Sequence, residues 1–172
     1  MHRGKCLWWG VSPPAVALVL LIASNGVPWA AGRLLHGRWA APLDLGVTIG
    51  GERVFGSHKT WRGLVSAAVA CAGAGLALGV SWWVGCLFGV LSLLGDALSS
   101  CIKRRLHQPP GTDILLLDQL PEALLPMVCL RDRLGLDGLE VALVAATFVV
   151  LDAVSVRVRH GMRRRIGARA GE

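Results

Sequence analysis

Long apolar runs separated by short polar stretches set the pattern of this 172-residue chain. The runs cover about residues 11–35, 63–80, 81–102, 113–130 and 139–156. Each approaches the roughly 20 residues that a helix needs to cross a hydrocarbon core. The pattern predicts an all-α, polytopic membrane protein with about five transmembrane helices in one integral-membrane domain over 1–172. A loop over 36–62 and a tail over 157–172 stand outside the spans. Pro13, Pro14 and Pro28 interrupt the first run, which is expected to break near Asn25-Gly26-Val27-Pro28. The basic start His2-Arg3-Gly4-Lys5 also suits a cleaved signal peptide, but the apolar stretch behind it is too long for a signal core. Trp82 and Trp83 mark the turn between the second and third runs, as indoles do at an interface. Gly75 with Gly79, and Gly85 with Gly89, form small-xxx-small pairs that let helices approach closely.

Composition agrees with this pattern: 53% of residues are hydrophobic and 17% charged, against about 25% charged in a soluble domain. The net charge of +7 raises the question of nucleic acid. The basic residues lie between spans and form no continuous stripe, so membrane headgroups and phosphates are the expected partners, not nucleic acid. The five cysteines, Cys6, Cys71, Cys86, Cys101 and Cys129, have no metal-binding spacing and are expected to behave as small hydrophobes. Lys and Arg number five from Arg33 to Arg62, three at Lys103-Arg104-Arg105 and six in the tail. The alternate set is Arg3, Lys5, Arg131 and Arg133. Fourteen against four places the long loop, the Lys103 segment and the tail in the cytoplasm, with the amino terminus outside. A multi-pass protein of the cell (inner) membrane is expected.

Polar residues inside the runs are candidates for chemistry. Asp96, Ser99, Ser100 and Lys103 fall at i, i+3, i+4 and i+7, on one face of an otherwise apolar helix. An ionised Asp there costs about 2.5–3.5 kcal/mol on insertion scales, so it should face the protein interior. Two readings stand: a structural Asp96–Lys103 pair, or Asp96 on a divalent cation with Lys103 facing a phosphate. Asp118 and Glu122 form a second acidic pair one turn apart, whose repulsion a bound Mg²⁺ would relieve or an Arg of the Lys103 segment would neutralise. The segment from Gly51 through Ser57, His58, Lys59, Thr60 and Arg62 to Gly63 misses P-loop spacing, since two residues separate Gly56 from Lys59. Lys59, Thr60 and Arg62 nonetheless stand where a helix begins, a position that favours an anion; a solvated basic loop is the alternative. Cations and carboxylates at one membrane face suit a nucleoside triphosphate, a metal and a lipid phosphate.

These segments resemble the CDP-archaeol synthase family, the short members of the phosphatidate cytidylyltransferase superfamily. The matching pieces, in order, are Asn25-Gly26-Val27-Pro28, Pro42-Leu43-Asp44-Leu45-Gly46, Phe55 to Gly63, Gly95 to Arg105, Pro110-Gly111 and Leu117-Asp118-Gln119-Leu120-Pro121. The resemblance implies transfer of CMP from CTP to a lipid phosphate, with release of pyrophosphate and with Mg²⁺ as cofactor. It implies Asp96 and Asp118 as metal ligands. Lys59, Thr60, Arg62, Lys103 and Arg104 would contact the CTP or lipid phosphates, with Ser99 on the same face as Lys103, and Asn25 would line the cavity. The chain departs from the family pattern at Pro121-Glu122, where a second Asp often follows Asp-Gln-Leu. It also departs at Gln108-Pro109-Pro110, where the longer diacyl enzymes carry Lys-Asp. Both departures bear on the lipid substrate more than on the reaction class. A transporter or channel subunit would also use intramembrane acids and broken helices, but no repeated half is visible. A CDP-alcohol phosphotransferase would need a dense run of Asp with Gly and Arg, which is absent.

Reporter fusions or cysteine accessibility should place Arg38, His107 and Arg169 in the cytoplasm and Asp132 outside. Finding the long loop and the tail on opposite faces would end the five-span arrangement.

Overall fold

Two prolines start the first helix. Pro13 and Pro14 occupy positions whose N–H groups have no helical acceptor, and α1 runs from there over Pro13–Leu34. In this computed structural model, residues 10–35, 38–49, 52–56, 59–106, 108 and 115–169 are described. Side chains of residues 49, 52, 115, 116, 156 and 158–169 are not among them. Gly51, Ser57, His58, His107, Pro109, Pro110 and Gly111, and the side chains of Arg163 and Arg169, therefore lie outside the described residues.

The predicted break in α1 does not occur: the helix is continuous through Asn25-Gly26-Val27-Pro28. Pro28 deletes the N–H that would meet the Ser24 carbonyl. Packing offsets this loss, since Val16, Ala17, Leu20, Leu21 and Ser24 are all buried along one side of α1. The Ser24 hydroxyl donates to the Leu21 carbonyl at 2.9 Å and lies 2.9 Å from Ser92 Oγ, which stitches the helix to its neighbour.

A loop then leads to α2, Trp61–Ala77, and carries a hairpin of two-residue strands, β1 (Thr48–Ile49) and β2 (Glu52–Arg53), paired antiparallel. Thr60 caps α2 by accepting from Gly63 N at 3.3 Å. Gly79, at φ +78, lies past the end of α2 and makes the turn into α3, Trp82–Arg105, so it is not a glycine within a helix as the sequence pattern suggests. The helices α4 (Leu115–Cys129) and α5 (Arg131–Leu134) follow. A reciprocal capping box, Asp137 with Glu140 at 2.8 and 2.9 Å, starts α6 over Gly138–Arg169. The last helix thus continues through most of the expected tail.

Three of these helices, Pro13–Leu34, Trp82–Arg105 and α6 over Gly138–Ser155, are long and apolar enough to cross a membrane. At about 1.5 Å per residue, the 17 residues of α2 and the 15 of α4 reach less far. The five predicted runs correspond to the five longer helices. The polytopic all-α fold stands, with the small hairpin added to it.

The α2–α3 contact depends on missing side chains. A Cβ on Gly85 or Gly89 would collide with the backbone of Cys71 or Ala67, and one on Gly75 would stand 3.4 Å from the Gly85 Cα. Cys71 is buried here as a small residue, its Sγ donating to the Leu20 carbonyl at 3.4 Å. Phe88, Leu20, Leu21 and Met127 fill the centre. Replacing Gly89 with Val should lower the melting point in detergent by an overpacking cost of about 1–3 kcal/mol. Gly73, where an added Cβ meets nothing within 4 Å, should accept Ala with no loss. Equal melting points for Gly89→Val and the parent would contradict the close approach.

Candidate active site at one end of the bundle

The C-terminal half of α1, the start of α2, the C-terminal half of α3 and the first turns of α4 meet at one end of the bundle. The loop before α2 fixes its edge. Asp44, with its side chain almost fully buried, accepts from Gly46 N at 3.1 Å, Phe55 N at 3.3 Å and Arg53 at 2.7 Å. Leu43 N donates to the Lys59 carbonyl at 2.8 Å, and Trp61 N donates to the Ala41 carbonyl at 3.0 Å. Gly46 and Gly56 take the positive φ values of +89° and +84° that these turns require. The loop thereby presents Lys59 to α3.

Lys59 Nζ forms an ion pair with Asp96 Oδ2. Lys103 Nζ forms a second pair with Asp118 Oδ1 at 2.6 Å. Both pairs cross between elements, so the intrahelical Asp96–Lys103 pair weighed from the sequence does not form. All four side chains are 12–24% exposed. Ser99 and Ser100 are buried and donate to the Asp96 carbonyl at 2.8 and 3.0 Å, which spends their protons on their own helix. Backbone contact between α3 and α4 brings the pairs together. A Cβ on Gly95, beside Asp96, would collide with the carbonyl of Pro121.

Glu122 lies deeper, 6% exposed, with Oε1 buried and unpartnered. Its charged neighbours are Asp96, Lys59 and Asp152, and the Asn25 amide faces it from α1. An Arg of the Lys103 segment is not its partner. Asn25 also donates to the Leu21 carbonyl at 3.1 Å. From α6, Asp152 accepts a short hydrogen bond from Gln119 Nε2, and Gln119 Oε1 is buried and unpartnered.

The remaining sequence candidates stand apart from this cluster. Thr60 is used as the α2 cap. Arg62 donates to the Arg38 carbonyl at 2.8 Å, and Arg104 to the Gln108 carbonyl at 2.7 Å. Asp152 and Gln119 were missed as site residues. Their partnership joins α4 to α6 across 33 residues of sequence, and no local spacing announces it. Asp44 stood in a matching segment with no role; Asp followed two residues later by Gly was the available signal of a turn.

Among the described residues, no three His, Cys, Asp or Glu side chains converge as a self-sufficient metal site. Mg²⁺ commonly takes one or two carboxylates together with substrate phosphates and water, so Asp96 and Asp118 on facing helices suit it.

Fold and cluster define an intramembrane protein with paired lysines and carboxylates at one end of a helix bundle. No family model matches the chain. It is 35% identical over 122 residues to CDP-archaeol synthase of Pyrobaculum arsenaticum, covering 67% of this chain and 68% of that one. It is 34% identical over 103 residues to the CDP-archaeol synthase of Thermofilum pendens, covering 56% of this chain and 50% of that protein. With the Pyrococcus furiosus synthase it shares 36% over 89 residues, 45% of this chain and 53% of that one. The match thus spans about half the length of the latter two relatives. A solved intramembrane enzyme of archaeal membrane-lipid biosynthesis superposes with a TM-score of 0.65 at 25% identity, over 83% of this chain and 91% of that chain. The chain belongs to the CDP-archaeol synthase family.

Burial alone would raise the Asp44 pKa, but the Gly46 and Phe55 N–H groups and the Arg53 guanidinium hold the carboxyl below its ordinary range. A carboxyl depressed in the folded state stabilises the loop above its unfolded pKa, and that contribution is lost as pH falls through the folded value. Amide-exchange protection at Gly46 and Phe55 should therefore hold from neutral pH down to the carboxylate range and collapse below it. In Asp44→Asn the protection should be weaker and free of this transition. A transition that persists in the Asn variant would assign it to another group.

Proposed function

We propose that this protein is a CTP-dependent cytidylyltransferase that activates a membrane lipid phosphate, archaetidic-acid-like or phosphatidate-like, to a CDP-lipid in phospholipid biosynthesis at the cell membrane. One observation carries the reading: two lysine–carboxylate pairs between different elements, Lys59–Asp96 and Lys103–Asp118, flank a buried Glu122 at one end of a membrane bundle. Each pair can open to take a phosphate on the ammonium and a cation on the carboxylate with little change in net charge. When bound, Mg²⁺ held by Asp96 and Asp118 would neutralise phosphate charge and orient the triphosphate.

The chain's own groups then act by position. A lipid-phosphate oxygen attacks the α-phosphorus of CTP in line. The new P–O bond forms as the bond from the α-phosphorus to the bridging oxygen breaks, and pyrophosphate leaves. The lipid phosphate is already ionised, so no general base is needed. Lys59 and Lys103 stabilise the charge on the phosphates. Arg62 and Arg104 each give one N–H to a loop carbonyl, and the guanidinium keeps further donors that can join them on the phosphates.

Purified protein incubated with labelled CTP, Mg²⁺ and a panel of lipid phosphates should yield a labelled CDP-lipid. Asp96→Asn and Asp118→Asn should keep the fold and lose turnover; substantial turnover in both would make the carboxylates structural. Lys59→Ala should weaken CTP binding about tenfold to a hundredfold, the loss of one charge-assisted contact. Arg163→Ala, in the basic tail, should change it little. Equal losses at both would mean that bulk charge attracts the nucleotide, and no loss at either would remove the loop from CTP binding.

A further inference from the structure

A cleft of about 450 Å³ opens between the C-terminal half of α1 and α6, within the range of about 300–1,000 Å³ typical of small-ligand sites. Its apolar lining includes Ile22, Trp29, Leu151 and Val154, which remain 52, 47, 42 and 50% exposed. In a bundle that crosses a bilayer, such a cleft opens sideways, toward lipid chains. Its polar lining includes Asn25 and Asp152. These are the same side chains that reach the cluster, Asn25 facing Glu122 and Asp152 bonded by Gln119. The inner edge of the cleft is therefore the outer edge of the polar site. A cation stands at the rim, where the Arg33 guanidinium stacks on the Trp29 ring at 4.3 Å from its centroid.

We infer that the α1–α6 cleft is a lateral port holding one hydrocarbon chain of the lipid-phosphate substrate. The chain gives way to the polar head between Asn25 and Asp152. This rests on the proposed reaction and adds where its lipid substrate enters. Chemistry selects the occupant. Asp152 repels a bare phosphate at the inner edge, so the head must pass beyond it to Lys59 and Lys103 while the chain stays against the apolar walls. Arg33 complements an anionic head arriving from the membrane surface.

Gly26 provides the test. It lines the cleft, and a Cβ added there meets nothing within 4 Å, so a larger side chain fills the cleft before it disturbs the packing. In nanodiscs, Gly26→Leu should raise the KM for a long-chain lipid phosphate about tenfold or more, as expected where methylenes compete for an apolar pocket. The KM for CTP and the rate with a short-chain, water-soluble lipid phosphate should stay at the level of the parent. An unchanged long-chain KM would overturn the port.

A second measurement needs neither a variant nor turnover. A lipid phosphate with a diazirine in mid-chain should insert on irradiation into residues 22–29 and 148–155 of the parent protein. Insertion confined to the outward face of α2, at Val65 and Val69, would overturn the port. So would equal labelling of the cleft by the phosphate-free alcohol of the same chain, which marks bulk lipid. A parent protein that labels at the cleft but converts no lipid phosphate would fail the reaction while keeping the port.

Discussion

A carboxylate in a membrane bundle needs a counter-charge within reach, and this requirement organises the whole polar end of the molecule. Asp96 and Asp118 each meet a lysine from another element, Lys59 from the loop before α2 and Lys103 from α3. An unpaired ion there would cost about 2.5–3.5 kcal/mol on insertion scales. The pairs therefore fix where α2 begins and how α3 meets α4. The loop is built to meet this demand: Asp44 gathers Gly46, Phe55 and Arg53, and the Leu43–Lys59 backbone bond sets Lys59 opposite Asp96. A charge pair that holds the resting fold is also one that a phosphate and a cation can divide between them.

Close helix contact makes the pairing possible. Lipid offers no hydrophobic reward for bringing helices together, so approach depends on small residues and close packing. Gly95 lies against the backbone of Pro121, and Gly85 and Gly89 lie against Cys71 and Ala67. The first contact sits one residue from Asp96 and three from Asp118. Bulk at Gly95 would push apart the helices that carry the two carboxylates. The absence of a side chain that lets α2 and α3 approach thus also sets the site at α3–α4.

The sequence was most legible where information is local. Apolar run length marks five helices, and the i, i+3, i+4, i+7 spacing correctly puts Asp96 and Lys103 on one face of α3. Spacing could not tell which partner each charge would choose, and each pairs with another element, Asp96 with the loop before α2 and Lys103 with α4. Ser99 and Ser100 share that face but bond to the Asp96 carbonyl, an outcome that periodicity cannot separate from ligand binding. The expected break at Pro28 failed because the packing of α1 offset one lost backbone bond. Asp152 stayed hidden for the opposite reason: near the end of a clean apolar run it reads as a terminal charge, and only the α4–α6 contact reveals it as the partner of Gln119.

The cluster also has an uneven charge. Asp96 and Asp118 are matched by lysines, while Glu122 and Asp152, at the α1–α6 side, have amide neighbours in Asn25 and Gln119. A site that joins a water-soluble triphosphate to a membrane-embedded phosphate has two openings with different needs. Toward the loop it needs cations that admit a highly charged ligand. Toward lipid it needs walls that admit a hydrocarbon chain but do not let the anionic head stop at the threshold. Asp152 at that inner edge, bonded by the Gln119 amide, favours passage of the head inward to where the two lysines stand. The asymmetry follows the direction in which each proposed substrate would arrive, and it gives the α1–α6 edge a different role from the lysine-bearing edge of the same cluster.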